Sequence, residues 1–330
     1  MIKGRYGYIN AEGKVVIQPQ FTSANRFHDG LALVGVDGEN ISDTPGNYDY
    51  IMGKKGYIDQ SGKFVIAPGK FEYPQDFSEG LASVCVNDLD VDKCYGYINT
   101  AGKVVIDPKF RHGGEFLNGT AEIRMADYKY GLIDKTGKFI ILPKYDDILP
   151  ISEGIVIAHT ILIKRSSLSD VQLSDLATVF LDINGQILTR PKLLVFGMFE
   201  EGLVLAITEK GQGFVNKSGE VVIEPQFEKA LGFSEGLSPV RVNKKWGYIN
   251  RTGKLIIPLQ FDLAYRFSDG LARIGTSRKH TAFIDKTGSI ALEVEGWEVF
   301  DFEDGIAYAR KDDGTTGYIN KDGKFIWQGK

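Results

Sequence analysis

The sequence predicts an all-β protein assembled from tandem β-hairpin or meander repeats. Two recurrences carry that reading. A strand-like triplet closing on Asn or Asp, with a turn glycine three residues on, occurs nine times, and a second glycine mark follows at almost fixed distance. Stretches with a helical hydrophobic period are nearly absent, apart from one or two turns expected between Ser167 and Leu176.

The first mark runs from Gly7-Tyr8-Ile9-Asn10 with Gly13 to Tyr318-Ile319-Asn320 with Gly323. Asn or Asp opening the turn can hydrogen-bond the backbone two residues on. The glycine supplies the φ > 0 position of a bulged hairpin. Runs such as Val15-Val16-Ile17, Phe64-Val65-Ile66 and Leu255-Ile256-Ile257 follow. They are apolar at successive positions, which predicts a strand covered on both faces. A proline often ends the run, as at Pro68, Pro108, Pro143 and Pro225.

A third stretch then joins two aromatics, as in Phe227 to Phe233. The second mark pairs an acidic or amide residue with Gly30, Gly80, Gly119, Gly154, Gly202, Gly236, Gly270 or Gly305. An alternating strand follows, such as Leu237-Ser238-Pro239-Val240-Arg241-Val242, and turns back into the next hairpin. Each unit is expected to be an antiparallel meander of three or four strands.

At Lys245-Trp246-Gly247-Tyr248-Ile249-Asn250, with Thr252-Gly253-Lys254 and Phe267-Ser268-Asp269-Gly270-Leu271-Ala272, the sequence resembles the bacterial WG (or KWG) repeat family. The resemblance covers essentially the whole chain. Only Trp246 keeps the signature tryptophan, and the glycine beside it is lost at Val179 and Ala282, so the fifth and eighth units are expected to pack less regularly. The resemblance implies a repeat module that mediates interactions.

Residues 1–330 therefore read as a single array of eight WG-like β-repeats plus a ninth terminal hairpin. Nine hairpins against eight glycine-led strands leave one hairpin spare, which suits an end cap. An open, β-solenoid-like superhelix is the expectation on that count, with an eight-bladed β-propeller as the alternative.

Function is expected to be non-catalytic: a scaffold for a protein partner, bound through the loop edge or a concave face. All long insertions fall between the glycine-led strand and the next hairpin, and insertions gathered on one face often form a binding face. The first insertion carries Tyr48, Tyr50 and Met52; the third carries Lys164 and Arg165. The alternative is a carbohydrate- or cell-wall-binding module. There a polysaccharide would stack on the regularly spaced tyrosines, Tyr57, Tyr97, Tyr248 and Tyr318 among them.

Other chemistry finds little footing. A net charge of −4 argues against a nucleic-acid partner. No run approaches the roughly 18 apolar residues of a membrane span, so no membrane insertion is expected. The first residues lack the apolar core of a signal peptide, which favours the cytoplasm, or export if the chain is a trimmed mature form. No cofactor is expected: phosphate loop, nucleophile elbow and metal motif are all missing from the sequence. Asp88, Asp90 and Asp92 have the opening spacing of a calcium loop, but Lys93 stands where that loop needs glycine and Asn99 where it needs glutamate. Cys85 and Cys94 flank one turn, and either a cross-strand bridge or two free thiols fits. The acidic residues before the second glycines recur once per unit and read as turn residues, because repetition gives each the same environment. His28 replaces a serine of other copies and reads as an exposed substitution.

Overall fold

The structure, a computed structural model, describes residues 5–10, 12–37, 53–86, 90, 92–162, 175–277 and 280–329. Among them every regular element is a strand, and no helix is long and apolar enough to cross a membrane. Packing divides the chain into two units, Met1–Ile148 and Leu149–Lys330, each taken by itself below.

The first unit opens with a two-stranded hairpin, Tyr6–Ile9 and Val15–Phe21. Its first full sheet is an antiparallel meander of Ser23–His28, Leu31–Val36, Lys54–Ile58 and Phe64–Ile66. The second has Leu81–Cys85, Tyr95–Asn99 and Val104–Phe110, with the bridges Glu72↔Cys85 and Ser78↔Leu81 where a further strand would lie. The third repeats the four-stranded pattern with His112–Leu117, Thr120–Arg124, Tyr130–Asp134 and Phe139–Tyr145. The second unit continues it. The sixth full sheet of the chain, for example, runs Lys229–Ala230, Leu237–Val242, Lys245–Asn250 and Leu255–Phe261.

The structural sheet is out of phase with the sequence repeat. Each sheet starts at the aromatic stretch, crosses the second glycine and ends with the next hairpin. The spare hairpin is therefore the first one, not the last. It packs Ile17 and Phe21 against Ala32, Val34 and Ile58 of the first full sheet.

The open solenoid does not hold. In a solenoid, strands of successive coils share ladder hydrogen bonds. Here the described strands pair only within their own sheet, and within each unit successive sheets meet face to face through side chains, as propeller blades do. One aromatic pair marks each such junction. Tyr8–Phe27, Tyr57–Phe77 and Tyr97–Phe116 do so in the first unit, and Phe180–Phe199, Phe214–Phe233, Tyr248–Phe267 and Phe283–Phe302 in the second, with centroids 4.8 to 5.2 Å apart.

The post-turn strands are not covered on both faces. They are sheet edges, so only the third apolar residue is buried (Ile17, Ile66, Ile106, Ile223, Ile257), while Val16 is 55% and Val65 46% exposed. The turns follow the sequence reading. Ser61 and Lys63 donate their N–H groups to the Asp59 carboxylate, and Gly62 has φ +86°.

The glycine of the signature pair has a separate cause. A Cβ on Gly247 would lie 2.5 Å from the carbonyl oxygen of Ile257, because the edge strand bulges inward there. Where Ala282 replaces it, the ladder runs from Thr281↔Val294 through Ala282↔Glu293 without that bulge. The eighth copy is thus more regular than its sequence suggests. In the fifth, pairing stops at Phe180↔Thr189, one residue beyond Val179.

Candidate functional site

The expected binding residues Tyr48, Tyr50, Met52, Lys164 and Arg165 lie outside the described residues, as do Asp88 and most of the 167–176 segment. Their anchors are described. The first insertion leaves from Val36 and returns at Lys54, which face each other across the ladder, and the third does the same at Ile161 and Leu176. Both therefore emerge between the second and third strands of a sheet.

In the first unit the described part of that loop end is a built surface. The loop between Leu81–Cys85 and Tyr95–Asn99 is closed at its base by a Cys85–Cys94 disulfide, Cα atoms 4.8 Å apart. Both cysteines are buried. Asp92 of that loop forms an ion pair with Arg111, which directly precedes the next sheet. The Arg111 guanidinium lies 4.3 Å from the Tyr128 ring centre, and Arg124 lies 4.5 Å from the same ring.

Tyr128 is 51% exposed and held at φ +67° in the tight loop before Tyr130–Asp134. Arg124 also stacks on Tyr130, and its Nε is buried without a hydrogen bond. Tyr73, half exposed, has φ +46°, and burial, with Tyr73 adding to it, raises the Tyr95 hydroxyl above its ordinary range. Glu122 is the middle residue of the Thr120–Arg124 strand, opposite Leu132. Burial pushes its carboxyl up to about 7, Asp147 adds to the shift, and Arg124 opposes it. Tyr95 and Tyr130 stand where the signature has tryptophan, but Tyr73, Arg111, Glu122, Arg124 and Tyr128 lie outside the signature, so periodicity had no way to single them out.

Three other sets of candidates resolve differently. Tyr57, Tyr97 and Tyr248 are buried between sheets, and their hydroxyls donate to Gln75 O, Gly114 O and Tyr265 O. Tyr318 is half-buried. The sugar-stacking reading thus loses the exposed rings that motivated it.

The acidic residues before the second glycines are turn residues, and more. All share φ between +49° and +55°, so with the following glycine they form two-residue hairpin turns. Their side chains reach the next turn along. Gly80 donates to Asp29, Gly119 to Glu79, Gly236 to Glu201, and Gly305 to Asp269. Lys135 adds an ion pair to Glu79 and Lys286 one to Glu235, at 3.0 and 3.1 Å. The bond to Lys135 and then that to Gly119 hold Glu79 below the usual carboxylate range, against some desolvation. His28 is exposed. Among the described residues no three metal-ligating side chains converge.

A family model described as "WG containing repeat" matches residues 6–39, 56–89, 95–129, 130–158, 213–246 and 246–275, more than half of the chain. The chain belongs to the WG repeat family. Its WG segments include the loop end around Arg111 and Tyr128 and the copy that keeps Trp246. No curated protein matches the sequence. Among solved structures, the WG chain is similar to a crystal structure of a eukaryotic initiation factor, at TM-score 0.63 and 11% identity over 98% of this chain and 92% of the other. A computationally designed protein, Ika8, aligns at TM-score 0.49 and 12% identity over 91% and 96%. BamB from Moraxella catarrhalis aligns at 0.48 and 11% over 87% and 97%. At such identities the first of these speaks to fold alone.

Proposed function

We propose that this WG repeat chain is an eight-bladed β-propeller acting as a non-catalytic scaffold, and that it binds a protein partner through the loop end of its sheets. The carrying observation is Tyr128, half exposed on a disulfide-braced surface with Arg111 and Arg124 packed on its ring. Tyrosine and arginine are the residue types that concentrate binding energy at protein interfaces. Here they are already ordered, which lowers the entropy cost of docking. The two long insertions leave their sheets at the corresponding position and would extend the same kind of surface.

The non-catalytic part of the proposal rests on the recurring carboxylates, which are engaged in equivalent turn-to-turn bonds rather than set in contrasting environments. The test is affinity capture from lysate with the intact chain beside Tyr128→Ser and Arg124→Ser variants that keep the parent circular-dichroism spectrum. A discrete protein retained by the parent and lost with both variants supports the loop-end site. An identical capture profile from all three baits, or none from the parent, removes it.

A further inference from the structure

The edge strands of the first unit carry a charge pattern that the repeat does not require. Over residues 14–21, 63–71, 103–110 and 138–145 there are seven lysines and a single carboxylate, Asp107. The corresponding edges of the second unit are close to balanced, with Arg190, Lys192, Lys254, Lys324 and Lys330 against Glu220, Glu224, Glu293 and Glu295. The whole chain is net −4, so the first unit's edges are basic against an acidic remainder.

These lysines accompany exposed hydrocarbon. Lys14, Lys63, Lys103 and Lys138 are all exposed, and each immediately precedes an edge strand. On those strands Val16, Phe64, Val65, Val105 and Leu142 are between 36% and 67% exposed. Acidic neighbours exist in the leading turns: Glu12, Asp59 and Asp134. Of these, Asp59 and Asp134 accept N–H bonds from their own turns. Lys70 and Lys109 are partly committed, since they donate to Gly102 O and Gly137 O of the next turn.

We propose that these neighbouring edges, joined where Ile17 meets Gly62, Lys70 reaches Gly102 O and Lys109 reaches Gly137 O, bind an anionic lipid surface peripherally. Aliphatic side chains flanked by lysine suit the boundary between acyl chains and acidic headgroups, where the lysine stem lies along hydrocarbon and its ammonium meets phosphate. A peptide adding as a further strand is the less fitting occupant. Pro19, Pro68, Pro108 and Pro143 interrupt the free backbone donors of all four edges. Lysine and proline alone would serve to keep an edge from pairing. That role does not account for the exposed aliphatics, which line the edges of both units (Val221, Leu255, Ile256 and Ile290 in the second) but stand among unopposed lysines only in the first.

The test is sedimentation of the full chain with phosphatidylcholine vesicles, with and without phosphatidylglycerol. Binding should require the anionic lipid and weaken as salt rises. Lys63→Glu, Lys103→Glu and Lys138→Glu combined should weaken it at least a hundredfold, at roughly fivefold per lysine neutralised. The paired Val65→Ser and Val105→Ser variant should keep low-salt binding and lose the salt-resistant fraction. As a control, Lys254→Glu on the second unit's edge should leave binding unchanged. Each variant's circular dichroism separates lost binding from lost fold. No binding to anionic vesicles at low salt, equal binding to neutral ones, or parent-like binding by the folded triple variant would overturn the proposal.

Discussion

Glu122 is the residue whose ionisation the fold opposes most plainly. Its carboxyl titrates near 7 because burial and Asp147 disfavour the charge more than Arg124 favours it. A carboxyl whose folded pKa lies above its unfolded value contributes stability that is complete below the unfolded pKa and is lost as pH rises through the folded one. This group should therefore make the protein less stable at pH 8 than at pH 5, on the order of 2 kcal/mol after discounting for partial exposure. Glu122→Gln should flatten that slope by gaining stability at the higher pH. Urea melts at both pH values check it, and parallel losses in parent and variant would refute it. Glycines offer a second comparison at this scale. Gly137 and Gly154 have nearly the same φ, +81° and +80°. An added Cβ meets Ile106 Cγ2 at 2.8 Å in the first and nothing within 4 Å in the second. Alanine should cost about 1 kcal/mol at Gly154, from backbone strain alone, and more at Gly137. Equal shifts in denaturant midpoint would show that Ile106 moves aside freely. The strain was legible in the sequence, since each turn demanded φ > 0. The contact was not, because Ile106 and Gly137 belong to different sheets.

Hairpins and their loops show the same division. Asx turns and their glycines follow from local pattern, and the structure has them where the pattern put them, whereas the edge strands, apolar at successive positions, bury only one face. The bonds that link one turn to the next do not follow locally. Glu79 could be assigned to a turn from its neighbours, yet its partners Gly119 and Lys135 lie a whole unit further along. Glu79→Ala should cost about 1 kcal/mol, mostly from the Gly119 N–H, since the Lys135 pair is partly exposed. Pairing of Cys85 and Cys94 was likewise open until strand register brought their Cα atoms to 4.8 Å. The bridge closes a loop of about ten residues, worth about 2–3 kcal/mol in the chain-entropy account. Replacing both cysteines by serine should lower stability by that amount, and alkylation of the unfolded parent without reductant should label no thiol. Labelling of both cysteines would show that the bridge does not form.

At the scale of the molecule, the sequence discloses an all-β repeat but points to an open array, because nine hairpins against eight glycine-led strands leave one spare and the repeat does not show which strands share a sheet. Once each sheet is seen to begin at its aromatic stretch, every sheet comes from one contiguous segment and the first hairpin is left over. That hairpin covers Ala32, Val34 and Ile58. Deleting residues 1–21 should lower the melting temperature of the first unit while leaving a β-sheet spectrum, and complete loss of structure would show that the hairpin is part of the fold's nucleus rather than its cover. The phase shift also bears on how such a chain lengthens. A tandem duplication one repeat long adds one complete sheet wherever its breakpoints fall, whether inside a turn, a strand or an insertion, because the duplicated segment always carries one of each strand. Gene copies cut at arbitrary places would still encode whole layers, and unequal recombination could add or remove them without a halfway product that lacks a strand.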